Sequence, residues 1–338
     1  MTVGAEVPGA APSLRFTRNR WRDGLAASGV FAAVAALFLL GMLLSPGFAT
    51  TTNQLNTLRA VALLGIVASG LAFVTFSGHY ADLSVPSIMA FAGTIAISAQ
   101  PLGPVLSLVA GLVAGTMLGV LNGVVIGYLR VNPIIWTLVT ASTLDGVMRW
   151  IYSGNQIYPD ATTAAGRIFL GLYDQQLVGG IPLLLVVFAA AVLLGHLLLT
   201  RTSYGAQVRL VGSSPEVARF SGIDVPRVVL ITFMISALAA SIGGLLLTSL
   251  NKVGAPYLGK GYDFAAVTAV VIGGVTLAGG RGTIIGVLGG VLVIGLLSNI
   301  MSLIGIGTFA QVVVQGAVFI AVVGLQQWSL RRAGQDDA

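Results

Sequence analysis

The sequence predicts an all-α, polytopic membrane protein with about ten transmembrane helices. Of its 338 residues, 56% are hydrophobic and only 8% are charged, with a mean hydropathy of +0.95, whereas a soluble domain carries about 25% charged residues. The 45 glycines agree with this class, because glycine is more frequent in membrane helices than in soluble ones. Long apolar runs recur along the whole chain.

A bilayer span requires roughly 20 mostly apolar residues, and this criterion predicts ten segments. In chain order they are 24–44, 55–76, 84–100, 104–128, 133–152, 180–200, 226–250, 263–278, 282–304 and 308–328. The segments 84–100 and 263–278 are short, and we expect each to form a tilted, broken or re-entrant helix.

Basic residues orient these spans. With the N-terminus in the cytoplasm, 12 of the 17 Lys and Arg residues fall inside and 5 outside, which is the direction of the positive-inside bias. The predicted organisation is a cytoplasmic tail over 1–23, one transmembrane domain over 24–330 and a cytoplasmic tail over 331–338. Within the domain, residues 153–179 form an outside loop and residues 201–225 a cytoplasmic loop.

Composition excludes several kinds of chemistry. The chain has no cysteine and two histidines, His79 and His196, so we expect no disulfide, no catalytic thiol and no metal site. We assign the net charge of +6 to cytoplasmic loops and not to a nucleic-acid partner. The stretch "GAPYLGKG" (254–261) nearly fits a phosphate loop, but Gly261 replaces the hydroxyl residue that would hold magnesium. We predict no catalytic residue and no cofactor bound by this chain.

Glycines are regularly spaced in two segments. In "GLVAGTMLGVLNGVVIG" they occupy every fourth position, which places them on one helix face and lets a neighbouring helix approach closely. We interpret the pattern as helix packing and not as a solute contact. The predicted packing glycines are Gly111, Gly115, Gly119, Gly123 and Gly127, then Gly273 and Gly274, and then Gly282, Gly286 and Gly290.

A polar break, "SGHYADLSVPS" (77–87), follows the second span. Ser84 is placed to cap the next helix, with Pro86 in its first turn. Two readings of Asp82 remain open: it caps exposed N–H groups, or the break borders a transport path, as non-helical backbone at membrane depth does beside a cavity. His79 is interpreted as an interfacial residue. Asn122 and Asn132 mark further polar breaks beside spans.

The cytoplasmic loop contains a short helix over about 214–221. Ser213 or Ser214 can cap it, Pro215 fits its first position, and Ser213 and Glu216 have capping-box spacing. Gly222 fits the helix stop. A helix this short is only marginally stable in isolation. Contact with either the membrane surface or a partner protein must therefore stabilise it.

Taken together, these residues resemble the membrane-spanning permease subunit of bacterial ABC sugar importers of the ribose-type branch. The resemblance rests on "ADLSV" (81–85), "NG" at Asn122, "NPIIWTL" (132–138), "TSYGAQVRLVGSSPEVARFSGI" (202–223) and "AVVIGGVTLAGGRGT" (269–283). It covers about residues 24–328. The chain departs from the family where His79 and Tyr80 precede the aspartate and Pro86 follows. It also departs at Ala206 and Val217–Ala218. The bulkier His79–Tyr80 pair puts a pentose assignment in doubt.

The resemblance implies an assembly in the bacterial inner membrane. Two permease chains, identical or related, pair in the lipid bilayer, two cytoplasmic ATPase chains hold ATP and magnesium, and an extracytoplasmic binding protein delivers a small polar solute. The short helix would be the coupling helix docked on an ATPase, formed by Ser214, Pro215, Glu216, Ala218, Arg219 and Gly222. Candidates for the translocation path are His79, Asp82, Ser84, Asn122, Asn132 and Thr137.

Two other classes compete with this interpretation. An ion-coupled secondary transporter would require intramembrane acidic pairs or a broken-helix ion site, and Asp82, Asp145 and Asp263 are the acids near spans. A lipid-handling or scaffolding membrane protein is the third class. The identity of the solute does not follow from the sequence, because in such importers the binding protein performs most of the selection.

Overall fold

The computed structural model describes residues 19–335 except residue 178, and over this part the chain is helical and contains no strand. All ten predicted spans coincide with helices. The helices are α1 (Asn19–Leu44), α2 (Thr51–Phe76), α3 (Val85–Ser98), α4 (Pro104–Gly127), α5 (Pro133–Ile151), α6 (Ala164–Gly171), α7 (Leu183–Arg201), α8 (Ser203–Ser213), α9 (Pro215–Phe220), α10 (Val225–Asn251), α11 (Tyr262–Ile272), α12 (Ile284–Leu303) and α13 (Thr308–Gln335).

Helix length and composition confirm a polytopic membrane protein. Five helices in the described part are long and apolar enough to cross a bilayer: α2, α4, α7, α10 and α12. Shorter apolar helices are Gly29–Leu44 within α1, α3, α11 and Thr308–Gly324 within α13. The remaining predicted span, α5, is more polar and carries Asp145 and Arg149.

The two helices predicted to be short are short. α3 has 14 residues and α11 has 11, which at 1.5 Å per residue gives about 21 Å and about 16 Å, against about 30 Å of hydrocarbon. α3 is followed by a 3-10 turn, Gln100–Leu102. α11 ends at Gly273 and Gly274. Neither helix crosses the hydrocarbon layer alone.

The core of the bundle is formed by α2 and α10. The apolar part of α2 is 83% buried, compared with 22% for α4 and 17% for α7. α10 packs against α2, α3 and α4, and α12 packs against α1, α2 and α11. The outer helices therefore present apolar side chains to lipid, while α2 and α10 present them to other helices.

The loops contain more helix than the sequence predicted. The predicted outside loop includes α6, and the predicted cytoplasmic loop consists almost entirely of two helices, α8 and α9, where only one was expected. Part of each predicted tail is helical, since α1 begins at Asn19 and α13 continues to Gln335. The rest of the predicted N-terminal tail, residues 1–18, lies outside the described residues.

Candidate functional site

The chain leaves the helical conformation between α2 and α3, over residues 77–84. α2 ends because Gly78 adopts φ 82°, and the N–H groups of Gly78 and His79 bond back to the last turn of the helix in a Schellman motif. α3 then begins with Pro86 in its first turn, as the sequence predicted. The break lies inside the bundle, so its polar groups must find partners within the protein.

Asp82 and Ser84 satisfy each other within this break. Asp82 is fully buried, and its Oδ1 accepts hydrogen bonds from the backbone N–H of Ser84 at 3.0 Å and from the Ser84 hydroxyl. Ser84 occupies the N-cap position of α3 but makes no side-chain cap bond, which corrects the expectation that it caps. The Asp82 carboxylate is a stronger hydrogen-bond acceptor than a neutral group, and it therefore accepts the hydrogen bond that the Ser84 hydroxyl donates.

Asn122 of α4 is the centre of a buried polar network. Its Nδ2 donates to the Ser84 hydroxyl oxygen at 2.9 Å. Its Oδ1 accepts from the indole N–H of Trp136 at 3.0 Å and from the hydroxyl of Thr140 at 2.8 Å. One amide on α4 thus connects the break to two side chains of α5.

Two further contacts attach the same break to its neighbours. The Ser236 hydroxyl of α10 donates to Asp82 Oδ2 at 3.4 Å, and the backbone N–H of Leu83 donates to Thr137 Oγ1 at 3.2 Å. Four elements therefore converge here: the break itself, α4, α5 and α10.

The network includes four of the six predicted path residues, and they are closed off from solvent. Asp82, Ser84, Asn122 and Thr137 are all 0% exposed, so they border no open space in this conformation. A role in solute passage stays a prediction for them. The structure does place Asp82 in a polar junction that fixes the start of α3.

The other two predicted path residues lie apart from this network. His79 is half-buried, with its Nδ1 3.0 Å from the Ser77 hydroxyl and its ring in an edge contact with Phe233. Asn132 caps α5, since its Oδ1 accepts from the N–H groups of Ile134 and Ile135.

Three network residues were not predicted. Trp136 lies four residues after Asn132, and Thr140 lies four residues after Trp136, so the two side chains share a face of α5. This spacing is a signal that the sequence offered for both. Ser236, in contrast, has no local pattern that separates it from the other serines of α10.

The glycines of α4 bring its backbone against that of α10. A Cβ at Gly119 would lie 2.6 Å from a backbone oxygen of α10, and one at Gly123 would lie 2.6 Å from the Cα of Leu230. Gly115 and Gly127 face the same helix, and Gly111 faces α3 and α10. Every one of these glycines therefore excludes a side chain.

The later glycines join α11 to α12. A Cβ at Gly273 would lie 2.6 Å from the backbone of Gly286, and one at Gly290 would meet Ala269. Gly274 is different: it lies past the end of α11 with φ 82° and forms the stop of that helix. Its function in the fold is a turn and not a helix–helix contact.

The short helix α9, in the predicted cytoplasmic loop, begins and ends with the signals expected of a helix. Ser214 is its N-cap, with its hydroxyl accepting from Val217 N–H at 3.3 Å, and Pro215 is its first residue. The Ser213–Glu216 capping box does not form, because Ser213 ends α8 and donates to the Arg209 carbonyl at 2.8 Å. Gly222 takes φ 76° and closes the helix.

One face of α9 is buried and the other is free. Ala218 is 0% exposed, whereas Phe220 is 92% and Val217 50% exposed. Glu216 and Arg219 are also exposed. The helix is thus held to the bundle on one side and presents an apolar and charged surface on the other.

α8 connects this surface to the break. Gly212, near the end of α8, lies so close to the end of α2 that a Cβ there would meet the Phe76 carbonyl. The Gly280 N–H donates to the same carbonyl at 2.9 Å, and Arg209 donates to the carbonyl of Gly282 at 3.1 Å. The end of α2, α8 and the segment 276–283 are therefore in direct backbone contact.

The stretch 254–261 does not have the geometry of a phosphate loop. It connects α10 to α11, and Gly254 forms an isolated antiparallel bridge with Ile157 of the predicted outside loop. A phosphate loop joins a strand to a helix, and no strand precedes this stretch in the described part of the chain.

Comparison with known proteins agrees with this architecture. A family model described as "Branched-chain amino acid transport system / permease component" matches residues 53–323. The chain belongs to this family of transport permeases. No solved structure matches it.

Curated relatives extend over nearly the whole chain. The "Ribose import permease protein" of Bacillus subtilis is 36% identical over 301 residues, covering 88% of this chain and 92% of the relative. The "L-arabinose transport system permease protein" of Escherichia coli is 34% identical over 322 residues, covering 93% of each. A "Probable ABC transporter permease protein" of Escherichia coli is 35% identical and covers 87% of each. The family description names amino acids, whereas the first two relatives are named for sugars.

Proposed function

We propose that this chain is the permease subunit of an ATP-driven, binding-protein-dependent importer of a sugar or sugar-like solute in the bacterial inner membrane. The sugar assignment is supported by relatives named for ribose and L-arabinose at 36% and 34% identity. In this proposal two permease chains form the path, two ATPase subunits bind ATP and magnesium, and a separate protein delivers the solute. This chain carries no catalytic residue.

The observation that carries the proposal is the free face of α9. An aromatic side chain that is 92% exposed, Phe220, is expected on a lipid-facing helix but not on a polar segment between two spans. Aromatic residues are typical anchors of protein interfaces. We assign Phe220 and Val217 to the contact with an ATPase, with Glu216 and Arg219 at its edge.

The backbone contacts of α8 supply a route for motion. A shift of α9 acts through α8 on the Gly212–Phe76 contact and on the segment 276–283, and so on the break that carries Asp82. Coupling of this kind requires rigid packed elements, because packed interfaces switch between discrete arrangements and do not deform continuously.

The test compares two phenylalanines of equal exposure. Phe220 on α9 and Phe309 on α13 are both 92% exposed, so Phe309→Ala is a matched control for Phe220→Ala. Truncating an anchor of an interface costs about 2 kcal/mol, or about 30-fold in affinity. We expect Phe220→Ala to weaken co-purification with the ATPase and to lower ATP-driven uptake, while Phe309→Ala does neither.

Two further variants separate docking from folding. Glu216→Lys reverses a charge that favours a helix N-terminus, and Gly222→Val forces a side chain into a left-handed conformation at about 1 kcal/mol or more. Both should insert normally and reduce solute-stimulated ATP hydrolysis. Normal ATPase docking, normal solute-stimulated ATP hydrolysis and normal uptake in all α9 variants would contradict the coupling role. α9 would then be a helix that only lies on the lipid surface.

An ion-coupled secondary transporter is the competing function. Asp145, one of its three candidate acids, is engaged by Arg149 at 2.8 Å, and Asp82 is held by hydroxyl and N–H groups. Reconstituted vesicles decide between the two: uptake driven by an ion gradient without ATP would refute the ATP-driven importer.

A further inference from the structure

A cleft lined by both polar and apolar side chains lies between α2, α11, α12 and α13. It has a volume of about 350 Å³, which is in the range of small-molecule sites, about 300–1,000 Å³. We propose that this cleft binds a neutral polyhydroxylated solute of monosaccharide size, as an outer station of the transport route. The statement about a route rests on the proposed function, whereas the binding itself does not.

Polar side chains line the cleft on three sides, and apolar side chains, Ala60, Leu64, Ala265 and Ile294, form the rest of its wall. Asn56 and Thr57 line it from α2, Ser298 and Asn299 from α12, and Gln315 from α13. These residues belong to helices whose other side chains are mostly apolar. Polar side chains within spans are costly in lipid and characteristically face the bundle interior or a watery cavity. Their convergence on one cleft indicates a hydrated site and not a lipid-facing groove.

Several of these groups have hydrogen-bonding capacity left over. The amide of Asn56 and the phenol of Tyr262 have no hydrogen-bond partner in the described part of the chain, and Lys260 has no acidic partner there. Gln315 uses its amino group on the Ser298 hydroxyl at 3.0 Å, which leaves its carbonyl oxygen. Amides supply both donors and acceptors, and an ammonium group supplies donors.

The charge of the lining restricts the chemistry of the ligand. Among the described residues that line it, Lys260 is the one cation and none is acidic. A cationic solute would find no counter-charge here, while a compound with several hydroxyl groups would find both donors and acceptors. Tyr262 adds an aromatic surface beside them. The combination of amides, hydroxyls and one aromatic ring favours a polyhydroxylated compound.

The location of the cleft suits a first contact with the solute. Asn56 and Thr57 lie near the start of α2, and the contact with α8 is made at its end, Phe76. About 20 residues of helix separate them, which corresponds to about 30 Å, the thickness of the hydrocarbon layer. The cleft therefore opens at the face opposite α9, where the predicted topology places the cell exterior.

The test uses the absence of cysteine in the natural chain. Single Ser298→Cys and Ser302→Cys variants place a thiol in the lining, and Thr52→Cys places one on the exposed first turn of α2 as the matched control. The full-length permease in proteoliposomes is labelled with a water-soluble thiol reagent. The probes are D-ribose, L-arabinose, D-xylose, D-galactose and myo-inositol, each against glycine betaine at equal osmolarity.

We expect at least one probe to slow labelling in the cleft and to leave Thr52→Cys unaffected. For a dissociation constant of about 5 mM, a probe at about 50 mM slows labelling about tenfold by simple competition. Adding Asn56→Leu or Gln315→Leu to the Ser298→Cys chain should abolish this protection. Labelling at Ser298→Cys and Ser302→Cys that no probe slows would overturn the proposal, as would equal slowing at Thr52→Cys.

The same vesicles keep the two proposals apart. If the assembled importer takes up one of these probes while none protects the cleft, the cleft inference fails and the proposed function stands. If a probe protects the cleft but the assembly with its ATPase and binding protein moves no probe, the binding site stands and the transport function fails.

Discussion

We expect Asn122→Leu to destabilise the helical bundle more than the substitution of any exposed polar residue on the helices of the bundle. Asn122 is 0% exposed and makes three side-chain hydrogen bonds, at 2.9, 3.0 and 2.8 Å. Leucine has the same branched shape but is larger, so some overpacking adds to the loss of the three hydrogen bonds. The substitution leaves the Trp136 indole N–H and the Thr140 hydroxyl without their acceptor.

The magnitude follows from two bounds. Side-chain hydrogen bonds between membrane helices average about 0.6 kcal/mol each, which gives about 2 kcal/mol for three. A buried donor left without a partner costs about 1–3 kcal/mol, so the two donors left by this substitution set an upper bound of about 6 kcal/mol. We expect a loss of about 3 kcal/mol in the free energy of unfolding.

Intrinsic tryptophan fluorescence during heating in detergent is the suitable assay, because Trp136 itself reports on the network. The control is Asn251→Ala, whose amide bonds only to the Leu247 carbonyl one turn earlier at an exposed helix end; surface changes of this kind stay within about 0.5 kcal/mol. If Asn122→Leu melts together with the wild type and the control, the network does not stabilise the fold and this reasoning is wrong.

Three further predictions follow from the same contacts. Gly119→Ala should impair folding, since its Cβ would lie 2.6 Å from a backbone oxygen of α10, whereas Gly146→Ala, with nothing within 4 Å, should be tolerated; yield of monodisperse protein compares them. Asp82→Ala should lower uptake more than Asp82→Asn, because the amide oxygen can still accept the Ser84 N–H; equal uptake in both and in the wild type would remove any role for this side chain. A Thr162→Cys chain should be labelled in intact cells by an impermeant reagent and a Ser221→Cys chain should not; the reverse pattern would invert the topology.

Much of the fold was predictable because its signals are local. Pro86 predicts the start of α3 and Gly222 predicts the end of α9, each within four or five residues of sequence. Apolar runs predict the spans. The helices missed within predicted loops are α6 and α8. α8 has a mixed sequence, "SYGAQVRLVGS", without a long apolar run. It is ordered by packing: Val208 and Val211 are 0% exposed.

The sequence by itself determined that this chain spans a membrane, where most of its helices begin and end, and where polar residues interrupt or adjoin the apolar runs, at 77–87, Asn122 and Asn132. It could not determine their partners. The glycine face of α4 permits close approach of any helix, and only the tertiary structure selects α10. Likewise the polar network joins residues that lie up to 154 positions apart in the sequence: Asp82, Asn122, Thr140 and Ser236. No pattern with a period of a few residues can predict which of these residues meet. The network exists because buried polar groups must pair, and the fold decides which of them meet.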